Sequence, residues 1–508
     1  MSSAPSDPRV ALVNAAPLRP ERDLVLYWMI AARRTRSSHA LDRAIAHARA
    51  LGKPLLVLEP LRCGYAWASD RMHAFVIAGM RDNHARLTAA GVAHYPYVER
   101  APGEGAGLLA ALAARACVVV TDDFPCFFLP KMVAAAAARL DVRLEQVDGN
   151  GLLPMRLPGR VFPTAYAFRR YLQAVLPQHL GGGPCPDPLA RLGGTREMLP
   201  PLAPLPAELT RRWSPELPDL ATLPIDHTVA AVGHGGSEAA HRRLARFLDA
   251  ILPGYADSRN KLDADATSGL SPYLHFGHLG AHEVFAAIAR REAWSPEALR
   301  STSKGSKDGW WRMSPAAEGF LDQLVTWREL GFNNCAHRDD HDRYDSLPQW
   351  ARATLAKHAG DRRPVLYTPA QLEAAATHDP LWNAAQTQLV RDGTIANYVR
   401  MLWGKKILEW SDTPQRALFT LLHLNNKYAL DGRDPNSTTN LLWILGKHDR
   451  PWGPERDIYG TVRYMSSDNT ARKIPTREYL ARYASARTSA TSAPTRPSPR
   501  PSPRPTPR

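Results

Sequence analysis

The chain has 508 residues, with Lys+Arg 64 against Asp+Glu 49, a formal charge of +15, 44% hydrophobic and 22% charged residues. That length is too great for a single compact core, so two domains or more are expected, and the ordinary composition argues against a fibrous or wholly disordered chain. No apolar run reaches the roughly 20 residues that span a bilayer, residues 1–20 lack the basic-then-apolar order of a secretory signal, and Cys63, Cys117, Cys126, Cys185 and Cys335 form no CxxC pair. A membrane span, a disulfide framework and a structural zinc site are therefore set aside, no metal is expected, and the expected location is cytoplasmic.

The first 150 residues alternate short apolar runs with amphipathic stretches. Leu24–Met29, Pro54–Leu58, Val118–Thr121 and Leu144–Val147 read as buried strands, with a weaker one at His94–Val98. Between them Ser38–Leu51, Arg71–Ala90, Gly105–Ala116 and Pro130–Leu140 carry helical periodicity. Continuous apolar strands alternating with helices imply a parallel, Rossmann-like α/β sheet covered on both faces. No Gly-x-Gly-x-x-Gly follows the first strand, so the sheet alone names no ligand.

From Leu176 to Val232, glycines and prolines break any long element, and this stretch is expected to be a surface connector. Beyond it the pattern is helical nearly throughout: Ala239–Leu252, Ala281–Arg291, Glu318–Leu330, Pro369–Ala376, Pro380–Val390, Thr394–Glu409 and Pro414–Asn425. Asp379-Pro380 is a good helix start, an N-cap acid followed by proline at the first helical position. Six arginines and no acid lie in Ala481–Arg508, leaving +9 for the rest of the chain, and the repeating Arg-Pro-Ser-Pro end has nothing to bury. The expected organisation is an N-terminal α/β domain over 20–175, a linker over 176–236, an all-α domain over 237–483 and a disordered tail over 484–508. Surplus positive charge on the body fits either solubility or a polyanionic partner.

Three tryptophans stand out in the helical half. Trp403 and Trp410 are seven residues apart in one expected helix, so they share a face about 10 Å apart. Trp382 lies just after the Asp379 cap. Tryptophans at this spacing are more often packing than chemistry. The Thr267-Ser268-Gly269 turn before a helix is by itself either a helix cap or an anion site.

The stretches Asp379–Gln386, Arg400–Trp410, Asp431–Asn436, His448–Gly453 and Val462–Met465 resemble the flavin domain of the photolyase/cryptochrome superfamily, closest to its class II cyclobutane-pyrimidine-dimer photolyases. Leu270–Gly277 resembles the superfamily's flavin-diphosphate segment, and the likeness covers most of residues 20–483. It implies a photolyase fold, an FAD cofactor, a DNA partner containing pyrimidine dimers, and a monomer. It leaves open whether an antenna chromophore of deazaflavin or folate type is also carried.

Residue by residue, the resemblance makes Trp382, Trp403 and Trp410 an electron path to the flavin, with Trp410 nearest to it. Asn425 would face flavin N5, and Arg400 and Asp431 would flank the isoalloxazine. Tyr255, Arg259, Thr267, Ser268, Leu270 and Ser271 would hold the rest of FAD. Trp443, Met401, Trp327 and Asn397 would line the pocket for a flipped-out dimer, where an aromatic surface offsets the loss of base stacking.

Two positions depart from the pattern. Gln323 stands where the family has a glutamate against the dimer carbonyls; an amide donates a hydrogen bond but supplies no acid proton. Ile395, Ala396 and Asn397 replace a class II Met-His-Gly turn. Light-driven repair of cyclobutane pyrimidine dimers is the expected activity, and a cryptochrome-like photoreceptor without repair is the alternative.

Overall fold

The computed structural model describes residues 7–192, 199–262, 266–302 and 304–484. All but the first residue of the expected tail therefore lie outside the described residues, as does the Gly193-Gly194 break of the connector. The chain forms two compact units. The first comprises residues 7–259, 266–341 and 426–439; the second comprises 260–262, 342–425 and 440–484.

The first unit is built on a six-stranded sheet: β1 (Val10–Leu12), β2 (Leu24–Trp28), β3 (Leu55–Leu61), β4 (Ala93–Val98), β5 (Ala116–Asp122) and β6 (Leu144–Val147), in the order β1-β6-β5-β2-β3-β4. Pairing is parallel from β6 to β4, and only β1, on β6, is antiparallel. The apolar runs that suggested strands are the central ones. Every residue of β2 and of β5 is buried, as strands covered on both faces require. Burying each of these large apolar side chains stabilises the sheet by roughly 1.5–3 kcal/mol.

Helices α1 (His39–Leu51), α2 (Asp70–Ala89), α3 (Leu108–Ala113) and α4 (Leu129–Ala137) connect the strands. Ser38 caps α1 by accepting from the Leu41 N–H, and Gly52 closes it in the left-handed conformation at φ 62°. The strand order reverses between β2 and β5, and open α/β sheets leave a crevice at the carboxyl ends of the strands there. Asp122, at the end of β5, fixes that rim: one carboxylate oxygen accepts from the N–H groups of Ile30, Ala31 and Ala32, the other from the Tyr27 hydroxyl.

Before the connector two elements were not anticipated, the edge strand β1 and the helix α5 (Ala165–Val175), capped by Thr164. The connector is not wholly irregular either. It carries the short helix Ala207–Arg212, and Trp213 after it is buried in the sheet's apolar cluster and donates its indole N–H to Glu104 O. Further on, two expected continuous helices contain a wider π turn. Ser237–Arg246 runs into Phe247–Ile251, and Pro315–Leu321 passes through the turn Asp322–Trp327 into Arg328–Ala336.

The second unit is helical. Its principal helices are Gln349–Lys357, Pro380–Asp392, Asn397–Glu409, Ser467–Lys473 and Arg477–Arg482, and it includes part of Pro414–Tyr428 and of Pro435–Ile444. The Asp379 carboxylate accepts from the N–H groups of Leu381 and Trp382, Pro380 takes the first helical position, and Gly393 ends that helix in the left-handed conformation. The next helix begins at Asn397 rather than Thr394, because the Gly393 stop is followed by three non-helical residues. Among the described residues no helix is long and apolar enough to cross a membrane, and the five cysteines are all free.

Candidate functional site

The second unit brings the three tryptophans together. Trp382 stands at one end of Pro380–Asp392, Trp403 in Asn397–Glu409, and Trp410 caps that second helix. Their relative exposures are 0, 0 and 1%, so all three indoles are removed from water. Trp382 occupies the middle: its ring centroid is 6.5 Å from Trp403 with the planes 5° apart, and 5.5 Å from Trp410 with the planes 69° apart. The seven-residue spacing of Trp403 and Trp410 thus frames a gap that a residue from the neighbouring helix fills.

Each inner indole has a fixed hydrogen-bond acceptor. Trp382 Nε1 donates to Trp403 O at 2.9 Å, and Trp403 Nε1 donates to Gln386 Oε1 at 2.9 Å. Gln386 is itself 0% exposed and donates to Glu373 O. Trp410 is flanked differently, by Tyr367 at 5.2 Å and by the exposed His378 at 5.4 Å. The hydroxyl of Tyr367 lies 2.6 Å from His378 Nδ1. Lys406 Nζ sits 5.6 Å from the Trp410 ring and 3.0 Å from Glu409.

Asn425 and Arg400 are buried members of this unit, whereas Asp431 belongs to the first. Met401 is half-buried and Asn397 exposed. Trp443 is half-buried between two cations, Lys405 Nζ at 5.3 Å and the Arg463 guanidinium at 5.6 Å. Arg463 also lies 4.9 Å from the Trp452 ring, whose other cation is Arg450 at 4.5 Å. Cations and indoles therefore alternate from Arg450 to Lys405, an arrangement stabilised by the ring quadrupole. Arg450, Trp452, Arg463 and Lys405 had not been singled out, because they meet only in space. Lys405 is fully buried, donates to Ile444 O, and is pushed down by burial to about 7.

In the first unit, Tyr255 is a core residue, edge-on to Phe247 and Phe320, with its hydroxyl raised by burial and bonded to Arg259. Thr267, Ser268, Leu270 and Ser271 form a loop held from behind by Arg243, whose guanidinium donates to Ser268 O at 2.6 Å and Thr267 O at 2.7 Å. Gly269 between them has φ +64°, and a Cβ there would collide with Arg243 Nε. The loop is thus pinned by a cation, with Thr267 and Ser271 exposed and Ser268 half-buried. Hydroxyls beside a fixed guanidinium are a donor set that fits a diphosphate. Gln323 and Trp327 are half-buried in the π turn Asp322–Trp327, which Arg169 fastens through Asp322 at 2.8 Å.

The first unit also holds a cavity of about 630 Å³ at the carboxyl ends of β2 and β3. Its walls are largely apolar and aromatic, including Trp28, Tyr97, Phe127 and Phe276. Two buried cations line it: Arg33, paired with Glu59 at 3.2 Å, and Arg433, which lies 5.6 Å from the Phe276 ring. Among the described residues the buried Tyr97 hydroxyl has no protein partner. The volume and lining are those of a small-molecule site.

The chain is 33% identical to the deoxyribodipyrimidine photo-lyase of Methanothermobacter thermautotrophicus, an alignment covering 90% of this chain and 94% of that protein. It is 32% identical to the deoxyribodipyrimidine photo-lyase of Oryza sativa subsp. japonica, over 90% of this chain and 87% of the relative. For the protein of the same name from Arabidopsis thaliana the identity is 30%, over 90% and 88%. The fold matches a crystal structure of a bacterial class III photolyase from Agrobacterium tumefaciens with a TM-score of 0.63 at 16% identity, covering 92% of this chain and 87% of that one. No protein-family model matches the sequence.

Proposed function

The chain belongs to the photolyase/cryptochrome superfamily with the deoxyribodipyrimidine photo-lyases, and from that membership we propose that it repairs cyclobutane pyrimidine dimers in DNA by light-driven electron transfer in the class II manner. The observation that carries this reading is the ladder of three fully buried tryptophans in which Trp382 contacts both Trp403 and Trp410.

FAD is the cofactor of this reading, and when bound and reduced it absorbs blue light and lends an electron to the dimer, which returns after the ring splits. Thr267, Ser268, Leu270 and Ser271, backed by Arg243, with Tyr255 and Arg259, hold the diphosphate side. Arg400, Asp431 and Asn425 serve the ring system. Trp382, Trp403 and Trp410 deliver electrons that keep the flavin reduced. Because Trp410 is the member that adjoins an exposed histidine, the ladder runs Trp410–Trp382–Trp403 from surface inward. This order reverses the one expected from the sequence, which put Trp410 nearest the flavin.

The roles expected of Trp443, Met401, Trp327, Asn397 and Gln323 toward the extruded dimer belong to this reading. The alternating stack of Arg450, Trp452, Arg463 and Trp443 supports a DNA partner, since cations neutralise phosphate and indoles replace base stacking. The cavity of the first unit suits a planar antenna chromophore; failure of a deazaflavin or folate chromophore to bind there would exclude it.

The test is repair of a defined thymine dimer by FAD-loaded protein in blue light and in darkness, with Gln323→Glu alongside. Repair in light only is expected, with a faster turnover in the glutamate variant. A photoreceptor role is the better reading if neither protein repairs while both retain FAD.

A further inference from the structure

Removing an electron from an indole turns its N–H into a strong acid, so the fate of that proton decides whether the electron vacancy moves on or is trapped. The two inner indoles of the ladder are alike in this respect. Trp382 Nε1 donates to a backbone carbonyl, Trp403 O, and Trp403 Nε1 donates to the amide oxygen of the fully buried Gln386. Amide oxygens accept hydrogen bonds but are too weakly basic to take the proton. The carboxylate close in sequence, Asp379, is already engaged: one oxygen accepts from the backbone N–H groups of Leu381 and Trp382, the other from the Ser467 hydroxyl. A basic group stands instead at the outer end. His378 lies 5.4 Å from Trp410 and is exposed, with Tyr367 bonded to it.

We propose that Gln386 is a positioning residue that keeps oxidised Trp403 protonated, so that the ladder moves electrons inward along both inner indoles and releases a proton only at Trp410. The inference rests on the ladder reading above and adds a rule for its proton. With oxidised FAD bound and excited by light, Trp403 would give up one electron and become an indole radical cation. Trp382 refills Trp403, and Trp410 refills Trp382, so one electron moves inward at each step and no N–H bond breaks. The proton then leaves Trp410 Nε1 for solvent or His378, which leaves a neutral radical at Trp410 and makes the return of the electron unfavourable. A basic group in place of the Gln386 amide would break this sequence by trapping the vacancy at Trp403.

Time-resolved absorption of the FAD-loaded Trp410→Phe protein tests this directly, since protonated and neutral indole radicals differ in spectrum. The stranded inner radical is expected to keep the cation spectrum until recombination, with the same rate in H2O and D2O. Adding Gln386→Glu, at a pH where infrared absorption shows an ionised carboxylate, should bring in the neutral-radical spectrum and a slower rate in D2O. A neutral radical in Trp410→Phe with Gln386 intact would overturn the proposal, as would a persistent cation beside an ionised Glu side chain. Absence of any indole radical would overturn the ladder reading, and this inference with it.

Discussion

Each unit of the protein holds three tryptophans joined through a middle ring, Trp311 in the first and Trp382 in the second, and the two groups differ in how the rings are packed. In the first unit Trp311 is 4.6 Å from Trp310 and 5.8 Å from Trp294, with Phe285 wedged 5.5 Å from Trp294 and 5.3 Å from Trp311. These rings meet edge-on or tilted inside an apolar cluster with Leu279, Val284 and Ile288. Trp294 donates to Trp311 O, while the buried Trp310 N–H has no protein partner among the described residues. In the second unit the rings form a line: two stacked indoles, then a third that adjoins Tyr367 and His378 at the surface. Contact between indoles is by itself not enough to make an electron path. The proposed path has a stacked inner pair and an outer end beside a histidine, and the N–H groups of Trp382 and Trp403 are held.

The largest effect that separates the two groups is on stability. Trp311→Ala removes a buried ring and should cost about 3–5 kcal/mol, read as a lower denaturant midpoint, while the protein that remains folded keeps full photoreduction of its flavin. Loss of photoreduction in that folded fraction would mean that the first-unit cluster conducts too.

A smaller effect separates the units by pH. Glu329 in the first unit is raised by burial to about 7, although the N–H groups of Leu152 and Leu153 favour its charged form. Its folded pKa lies above the unfolded value, so the stability it contributes is full below about 4.5 and is lost as pH rises through about 7. Lys405 in the second unit is depressed to about 7, so its contribution is full above about 10.5 and is lost as pH falls through 7. Hydrogen exchange resolved by residue should show protection near Glu329 falling from pH 5 to 7, and protection near Lys405 rising from pH 7 to 9. Glu329→Gln and Lys405→Met should flatten the respective trends; persistence of the trends in the variants would assign them elsewhere.

The sequence was most legible where local chemistry and burial agree. Asp379, Pro380 and Gly393 mark both ends of one helix by capping alone, and the central strands announce themselves because both faces are covered. The edge strand β1 has two exposed residues of three and no such pattern. The helix Ala165–Val175 did carry a signal, with Ala165, Phe168 and Leu172 buried on one face behind a Thr164 cap. The π turn around Gln323 keeps ordinary helical periodicity on either side, so nothing local distinguishes it. Within the candidate site, the tryptophans could be picked out by motif, but the middle position of Trp382 depends on how two helices pack. The Lys405–Trp443–Arg463–Trp452–Arg450 stack joins residues up to 58 positions apart, beyond the reach of any spacing rule.

One measurement bears on the central claim, that the second-unit tryptophans are an electron path and those of the first unit are packing. It is the blue-light reduction of bound oxidised FAD in Trp382→Phe beside Trp311→Phe, each checked for folding and flavin content. The account predicts that Trp382→Phe, which removes the middle of the ladder, brings photoreduction down to background, while Trp311→Phe reduces its flavin at the native rate. Native-rate photoreduction in Trp382→Phe would contradict it.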